Sequence, residues 1–261
     1  MIRDDGLGDW RIRAVSRLTK RSVSREGHVY KAGSSVTLTT VTEVGERHVL
    51  SFTTPSPPAL ALSIAIRAVR QAKELRKRLA FAEKAETYPV FFDKPEMEQL
   101  ITNDTVLFDF FEECMTAMAF SFQALETFSN TIIAEKLKQI YHLKRRKKAL
   151  ELSAGELQRE ASTEEKLGVI LPEILSTRTP KGDKVWQDFK DLKAARDTTI
   201  HMKALDAYLG VNIDKETFFY KLLNVEAKEF PRAAISMMAF FFKDDQLPRW
   251  LMNARDKLTR I

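Results

Sequence analysis

Apolar residues recur at steps of three and four through most of this chain, and at steps of two only near its start. Over residues 107–143, Phe111, Met115, Met118, Phe122, Leu125, Ser129 and Ile132 form one seam, the spacing of a helix packed along one face. Phe108, Ala119 and Ile133 add a second stripe, so this helix is expected to touch more than one neighbour. Residues 59–84 repeat the pattern with Leu62, Ile66, Val69, Ala72, Leu75 and Leu79. Residues 164–175 do so with Leu167, Ile170, Leu171 and Ile174, opened by Ser162 as an N-cap with Glu164 and Glu165 in the first turn. Pro172 falls inside that run and predicts a kink or an early end. A further helix is expected over 183–208, followed by Gly210 as a C-cap. Shorter helices are expected over 218–223, 233–243 and from Pro248 onward.

The opening hundred residues read differently. Val36-Thr37-Leu38-Thr39-Thr40-Val41 and His48-Val49-Leu50-Ser51-Phe52-Thr53 are β-prone runs joined by a link containing Gly45, the pattern of a hairpin. Pro55, Pro57 and Pro58 end it, because proline cannot donate to a ladder. Pro89 and Pro95 bracket a Val90-Phe91-Phe92 run, which places a domain boundary within 88–103. The expected fold is therefore mostly α, a helical domain over 100–261 preceded by a small α+β region over 1–95 that contains the hairpin.

Composition narrows the class. A 261-residue chain that is 44% hydrophobic, with 17 Phe, can bury an aromatic-rich core without staples. Cys114 is the single cysteine, so no intramolecular disulfide forms and a reducing, cytoplasmic setting is expected. Its apolar helical surroundings read as core. The first residues are charged rather than signal-like, and the longest apolar stretch, 59–68, contains Arg67 and is far shorter than the ~20 residues of a membrane span. A net charge of +6 favours association with a polyanion. The cations concentrate in two places. One is the polar face of the 59–84 helix, with Arg67, Arg70, Lys73, Arg76, Lys77 and Arg78; the other is the run Lys144, Arg145, Arg146, Lys147 and Lys148. That run is expected at the exposed end of the long helix or in the next turn, as an RNA-binding patch or simply a solvated tip. His28 and His48 have no partner at metal-ligand spacing, no metal or other cofactor is implied, and no Gly-rich phosphate loop is present.

The candidate chemistry lies in Arg196-Asp197-Thr198-Thr199-Ile200-His201. A histidine moves protons near neutral pH, and a guanidinium grips a phosphate in a bidentate fork. Together they suit RNA cleavage, in which the 2′-hydroxyl is the nucleophile. Arg196 occupies an apolar position on its helical stripe, beside Val185, Phe189 and Leu192, so it needs a partner. Glu126 and Asn130, one turn apart, either face it or lie on the solvent side. His201 is five residues on, about 140° around an ideal helix. The two side chains meet only through a local distortion, or across two copies of the chain.

Three stretches carry a family resemblance. They are Phe120-Ser121-Phe122-Gln123-Ala124-Leu125-Glu126-Thr127-Phe128-Ser129-Asn130, the run from Glu165 through Pro172 to Trp186-Gln187-Asp188-Phe189, and Leu192 to His201. Residues 100–260 resemble the HEPN superfamily, helical bundles of toxin–antitoxin, abortive-infection and other RNA-targeting systems. The resemblance implies catalytic Arg196 and His201, Asp197 in the motif's polar position and Glu126 in support. It also implies a homodimer with two motifs in one cleft, and metal-independent cleavage that leaves a 2′,3′-cyclic phosphate. An antitoxin or trigger-sensing partner would regulate it, and the membrane would play no part. Many members have Asn where this chain has Asp197, and Lys203 stands where adenylylated toxins carry tyrosine. Two other readings stay open. One is a non-catalytic helical interaction protein in which Arg196 and Asp197 form structural ion pairs. The other is a nucleic-acid-binding protein that works through its basic N-terminal region.

Overall fold

A computed structural model describes residues 8–25, 27–79, 104–145, 148–200, 217–243 and 246–261. The chain is mostly helical, with small antiparallel sheets toward the N-terminus and one mid-chain hairpin.

The helices gather around α2 (Asp104–Lys136), whose 33 residues contact most of the others. It buries Phe111, Met118, Phe122, Leu125, Ser129 and Ile132 along the expected seam. Its second buried stripe runs through Phe110, Cys114, Ala117, Ser121, Ala124 and Phe128 rather than through Phe108 and Ala119, which are exposed. The Ser121 hydroxyl meets its hydrogen-bonding need inside the helix by donating to the Ala117 carbonyl at 2.6 Å. Cys114 is a core residue, and burial pushes its thiol up to about 12, so it has no thiolate character at neutral pH.

α1 (Pro57–Arg76) makes its most extensive packing against α2. Pro57 and Pro58 do more than end the preceding strand. They occupy the first turn, where a missing N–H costs nothing. Leu62, Ile66, Val69 and Ala72 face the core, while Arg67, Arg70, Lys73, Arg76, Lys77 and Arg78 are exposed. The division drawn between 95 and 100 falls outside the described residues, as does the Val90-Phe91-Phe92 run. α1, which precedes it, shares one hydrophobic core with the helices that follow.

Among the described residues, six short strands precede α1. β1 (Ala14–Arg17) pairs with β4 (Ser35–Thr37), and β2 (Ser22–Val23) pairs with β3 (Val29–Tyr30). β5 (Thr39–Val44) and β6 (His48–Thr53) form the expected hairpin, with Val44 opposite His48 at its turn. This ribbon is exposed along its length on both faces. At its base the Thr54 N–H donates to the Leu38 carbonyl and the Arg13 N–H to the Thr54 carbonyl, which ties it to β1.

After α2 the chain departs from the helical reading. The run expected to continue the helix to residue 143 instead forms β7 (Tyr141–Arg145), paired with β8 (Lys148–Leu152). Leu143 and Leu152 are buried while their neighbours His142 and Glu151 are exposed, the two-residue period of a strand. The Tyr141 hydroxyl donates to Glu173, which anchors the hairpin to the helical body.

Two capping boxes follow, Ser153 with Glu156 on α3 (Ala154–Glu160) and Ser162 with Glu165 on α4 (Thr163–Glu165). Pro172 does not end the run. The helix widens to a π turn over Lys166–Ile170, where the Leu171 N–H reaches back to the Lys166 carbonyl, and continues as α5 (Leu171–Leu175). In an α-helix the carbonyl of Gly168 would have no donor at Pro172; here the Thr179 hydroxyl supplies one at 2.8 Å. α6 (Lys184–Ile200), α7 (Phe218–Asn224), α8 (Glu229–Ala239) and α9 (Arg249–Thr259) complete the described bundle. No helix among the described residues is long and apolar enough to cross a membrane.

Candidate functional site

α6 lies against α2 and α8. Phe189 and Leu192 supply its buried face, and the Phe189 ring stacks near Phe122 of α2 with centroids 6.4 Å apart. Two turns further along, Arg196 continues that line. Its guanidinium carbon sits 4.0 Å from the centre of the Phe122 ring. An arginine therefore fits at an apolar position by stacking on an aromatic face, which holds its planar group while leaving an edge toward solvent.

Arg196 is 29% exposed, and its Nη1 donates to Asp197 at 2.8 Å. The same group opens on a shallow cavity of about 220 Å³ that also holds Glu126, Gln123 and Thr199. Glu126 thus faces the region of Arg196 from an exposed position on α2. Its charge also reaches Lys166, in the π turn. Lys166 is 1% exposed and donates to the Gln158 carbonyl at 2.7 Å. Burial lowers its pKa, and the charges of Glu126 and Glu165 oppose that shift. The side-chain oxygen of Asn130 is buried without a hydrogen-bond partner among the described residues.

Asp197 is shared. Its other oxygen lies 3.6 Å from Lys193, which in turn lies 3.5 Å from Glu164, and Glu164 bonds Lys190 at 2.9 Å. The Lys190 and Lys193 ammonium groups hold the Glu164 carboxyl below its ordinary range. A ladder of alternating charge thus runs from α4 along α6 to Arg196. Each rung is partly exposed, so each contributes only about 0–1 kcal/mol to stability. The ladder fixes the direction of Arg196 more than it stabilises the fold.

His201 and the rest of 201–216 lie outside the described residues, as do Arg146 and Lys147. Lys144 is exposed on β7, Arg145 ends that strand, and Lys148 begins β8 as the register partner of Arg145. Lys144, Arg145 and Lys148 therefore lie on paired strands and not at the end of α2, with Leu143 opposite Leu150 in the same ladder. On α1 part of the basic face serves the fold. Arg76 donates to the Leu223 carbonyl at 2.8 Å, and Lys73 donates to the carbonyl of Ile261. Among the described residues no group of three or more His, Cys, Asp or Glu is placed to hold a metal.

Comparison with protein-family models, curated proteins and solved structures gives no match. The site is accordingly read from its own geometry.

The sequence singles out Arg196, Asp197 and Glu126, which the structure places around one cavity or in contact with it, but it gives Phe122, Lys193 and Glu164 no part beside Arg196. Phe122 was visible as a seam residue; that it carries the guanidinium follows only from the crossing of α2 and α6. Lys193 lies one turn before Arg196, and Glu164 is in the first turn of another helix. Their connection is a tertiary fact with no signature in spacing.

Proposed function

We propose that this chain is a HEPN-type endoribonuclease that cleaves RNA without a metal cofactor, in a toxin–antitoxin or anti-phage setting. The observation that carries the reading is Arg196, seated on Phe122 with one edge open to a cavity it shares with Glu126. In this reading Arg196 binds a non-bridging oxygen of the scissile phosphate and stabilises the charge that builds as the 2′-oxygen attacks phosphorus. His201 transfers a proton, either from the 2′-hydroxyl or to the departing 5′-oxygen. The products are a 2′,3′-cyclic phosphate and a 5′-hydroxyl. Asp197 orients Arg196, and Glu126 sets the charge on the opposite wall. Lys144, Arg145, Arg146, Lys147 and Lys148 give sequence-independent affinity for the RNA backbone, which falls steeply with salt. Two copies of the chain bring two motifs into one cleft, and an antitoxin or trigger-sensing partner controls access.

The experiment is an RNA digestion with purified full-length chain in EDTA, with product ends mapped. Wild type is expected to yield cyclic-phosphate ends, and Arg196→Ala and His201→Ala to lose at least about 100-fold in rate, in line with removal of a charge-stabilising or proton-transfer group. Intact RNA with wild type, or cleavage by both variants at the wild-type rate, rejects the proposal. One observation favours a second reading. Asp197 already occupies Nη1 of Arg196, as it would in a scaffold whose ion pairs are structural. In that case Arg196→Ala changes stability and no RNA is cleaved by any form.

A further inference from the structure

We propose that Asp197 is a displaceable latch on Arg196: an oxyanion arriving in the cavity takes the guanidinium, and the Asp197 carboxylate moves over to Lys193. The inference rests on the reading above only in naming that oxyanion as a backbone phosphodiester of RNA.

Among the described residues Arg196 has two holds, and they do different work. The Phe122 ring fixes the plane of the guanidinium from 4.0 Å, and Asp197 takes Nη1 at 2.8 Å. Stacking on a ring uses none of the five N–H donors, which lie in the guanidinium plane. Losing Asp197 therefore leaves the group seated and frees one donor. A carboxylate and a phosphodiester offer that donor the same thing, an oxygen carrying negative charge. Asp197 holds a place that a phosphate oxygen can take.

The carboxylate also has somewhere to go. Lys193 lies one turn back on the same face of α6, with its Nζ 3.6 Å from the second Asp197 oxygen. That is just beyond hydrogen-bonding distance and within reach of a small side-chain rotation. Lys193 is free to receive it, because its present partner Glu164 is 3.5 Å away and has a closer partner in Lys190 at 2.9 Å. Glu164 therefore stays paired when Lys193 turns toward Asp197. All five side chains are between 29% and 41% exposed, so the exchange needs no opening of the core.

The charge on the ladder selects the ligand. Arg196, Lys193 and Lys190 against Asp197 and Glu164 leave one positive charge. A phosphodiester carries one negative charge and balances it. A terminal phosphate carries nearly two, and Glu126 on the other wall of the cavity repels the excess. The latch therefore favours a phosphate inside a strand over one at a strand end. It also makes the ion pair between Arg196 and Asp197 a resting state that the ligand displaces.

The test is a set of binding titrations of the full-length chain with a 2′-fluoro RNA oligonucleotide, which has no 2′-hydroxyl to attack. Arg196→Ala should weaken binding by about tenfold or more. The deciding quantity is the gain in affinity from Asp197→Asn in three backgrounds. In wild type Asp197 already leaves for Lys193, so the gain should be about twofold or less. With Lys193→Gln the carboxylate has no second seat and stays on Arg196, so the same substitution should gain about tenfold. Lys184→Gln removes an equal charge from α6 outside the ladder, and there the gain should return to the wild-type value. Lys193→Arg keeps the seat and should behave as wild type. A gain with Lys193→Gln equal to or smaller than in wild type would overturn the latch, as would binding that does not depend on Arg196. The two readings fail separately. The larger gain together with intact natural RNA would keep the latch and reject the nuclease; cleavage of natural RNA with equal gains would keep the nuclease and reject the latch.

Discussion

Single residues decide how closely the helices approach. A methyl group added at Gly168 would lie 2.7 Å from the Trp186 ring and 2.7 Å from the Lys181 side chain. Lys181 can swing aside. Trp186 cannot do so freely, because its ring packs 5.1 Å from Phe189 in the core. Gly168→Ala is therefore expected to destabilise by about 1–3 kcal/mol, the cost of overpacking, read as a lower urea midpoint at unchanged slope. Asp9 sets a pH dependence. The Arg11 guanidinium, by hydrogen bond first and charge second, lowers its carboxyl from 3.8 to about 2. Its folded value is below its unfolded one, so the stabilisation is fully present above pH 3.8. It is lost as the pH falls through about 2. Both side chains are exposed, so the effect is under about 1 kcal/mol. Asp9→Asn should be slightly less stable than wild type at pH 6, and the two acid-unfolding curves should converge below about pH 2; curves that stay parallel would assign the fork no role in folding.

At the scale of elements, helix starts are written more plainly than helix interiors. Ser162 accepts the Glu165 N–H at 3.1 Å while the Glu165 carboxylate accepts the Ser162 N–H at 2.8 Å. Ser162→Ala should cost about 1 kcal/mol in a denaturant titration, because it removes the acceptor of the Glu165 N–H at the start of a run that then widens to a π turn, while the backbone N–H at 162 still donates to the Glu165 carboxylate. A loss under about 0.2 kcal/mol would mean that tertiary packing alone holds α4. This cap was legible in sequence because Ser, Thr, Glu and Glu stand in order. The hairpin of β7 and β8 was not. Tyr141, Leu143, Leu150 and Leu152 alternate over only a few positions, and the cations between them read equally well as a helix end. β2 and β3 were hidden for a related reason: they are two residues long and exposed, so burial leaves no pattern to read. Of the site, Arg196 was legible as a charge on an apolar stripe, whereas its stacking on Phe122 and the ladder through Lys193 and Glu164 depend on how separate helices cross.

For the molecule as a whole, the line between module and body lies where packing ends, not where the sequence changes character. Composition shifts near residues 88–103, yet α1 on the N-terminal side buries Leu62, Ile66, Val69 and Ala72 in the core organised by α2. Losing four such side chains would cost about 8 kcal/mol even at about 2 kcal/mol each, comparable to the whole stability of a domain. A chain that begins after residue 90 should therefore be insoluble or molten, with lost near-ultraviolet circular dichroism. The β5–β6 ribbon gives the opposite result. Its residues are exposed on both faces, so replacing 40–52 by a short Gly-Asn-Gly turn removes little buried surface. The Leu38 to Thr54 hydrogen bond can still close its base. That variant should melt within about 2–4 °C of wild type. A cooperative, native-like body without α1 would show that α2 is covered adequately by α6, α8 and α9, and would return the boundary to where composition placed it. A large loss of stability on excising the ribbon would instead show that its apolar positions, Val41, Val49 and Leu50, are covered in the folded protein.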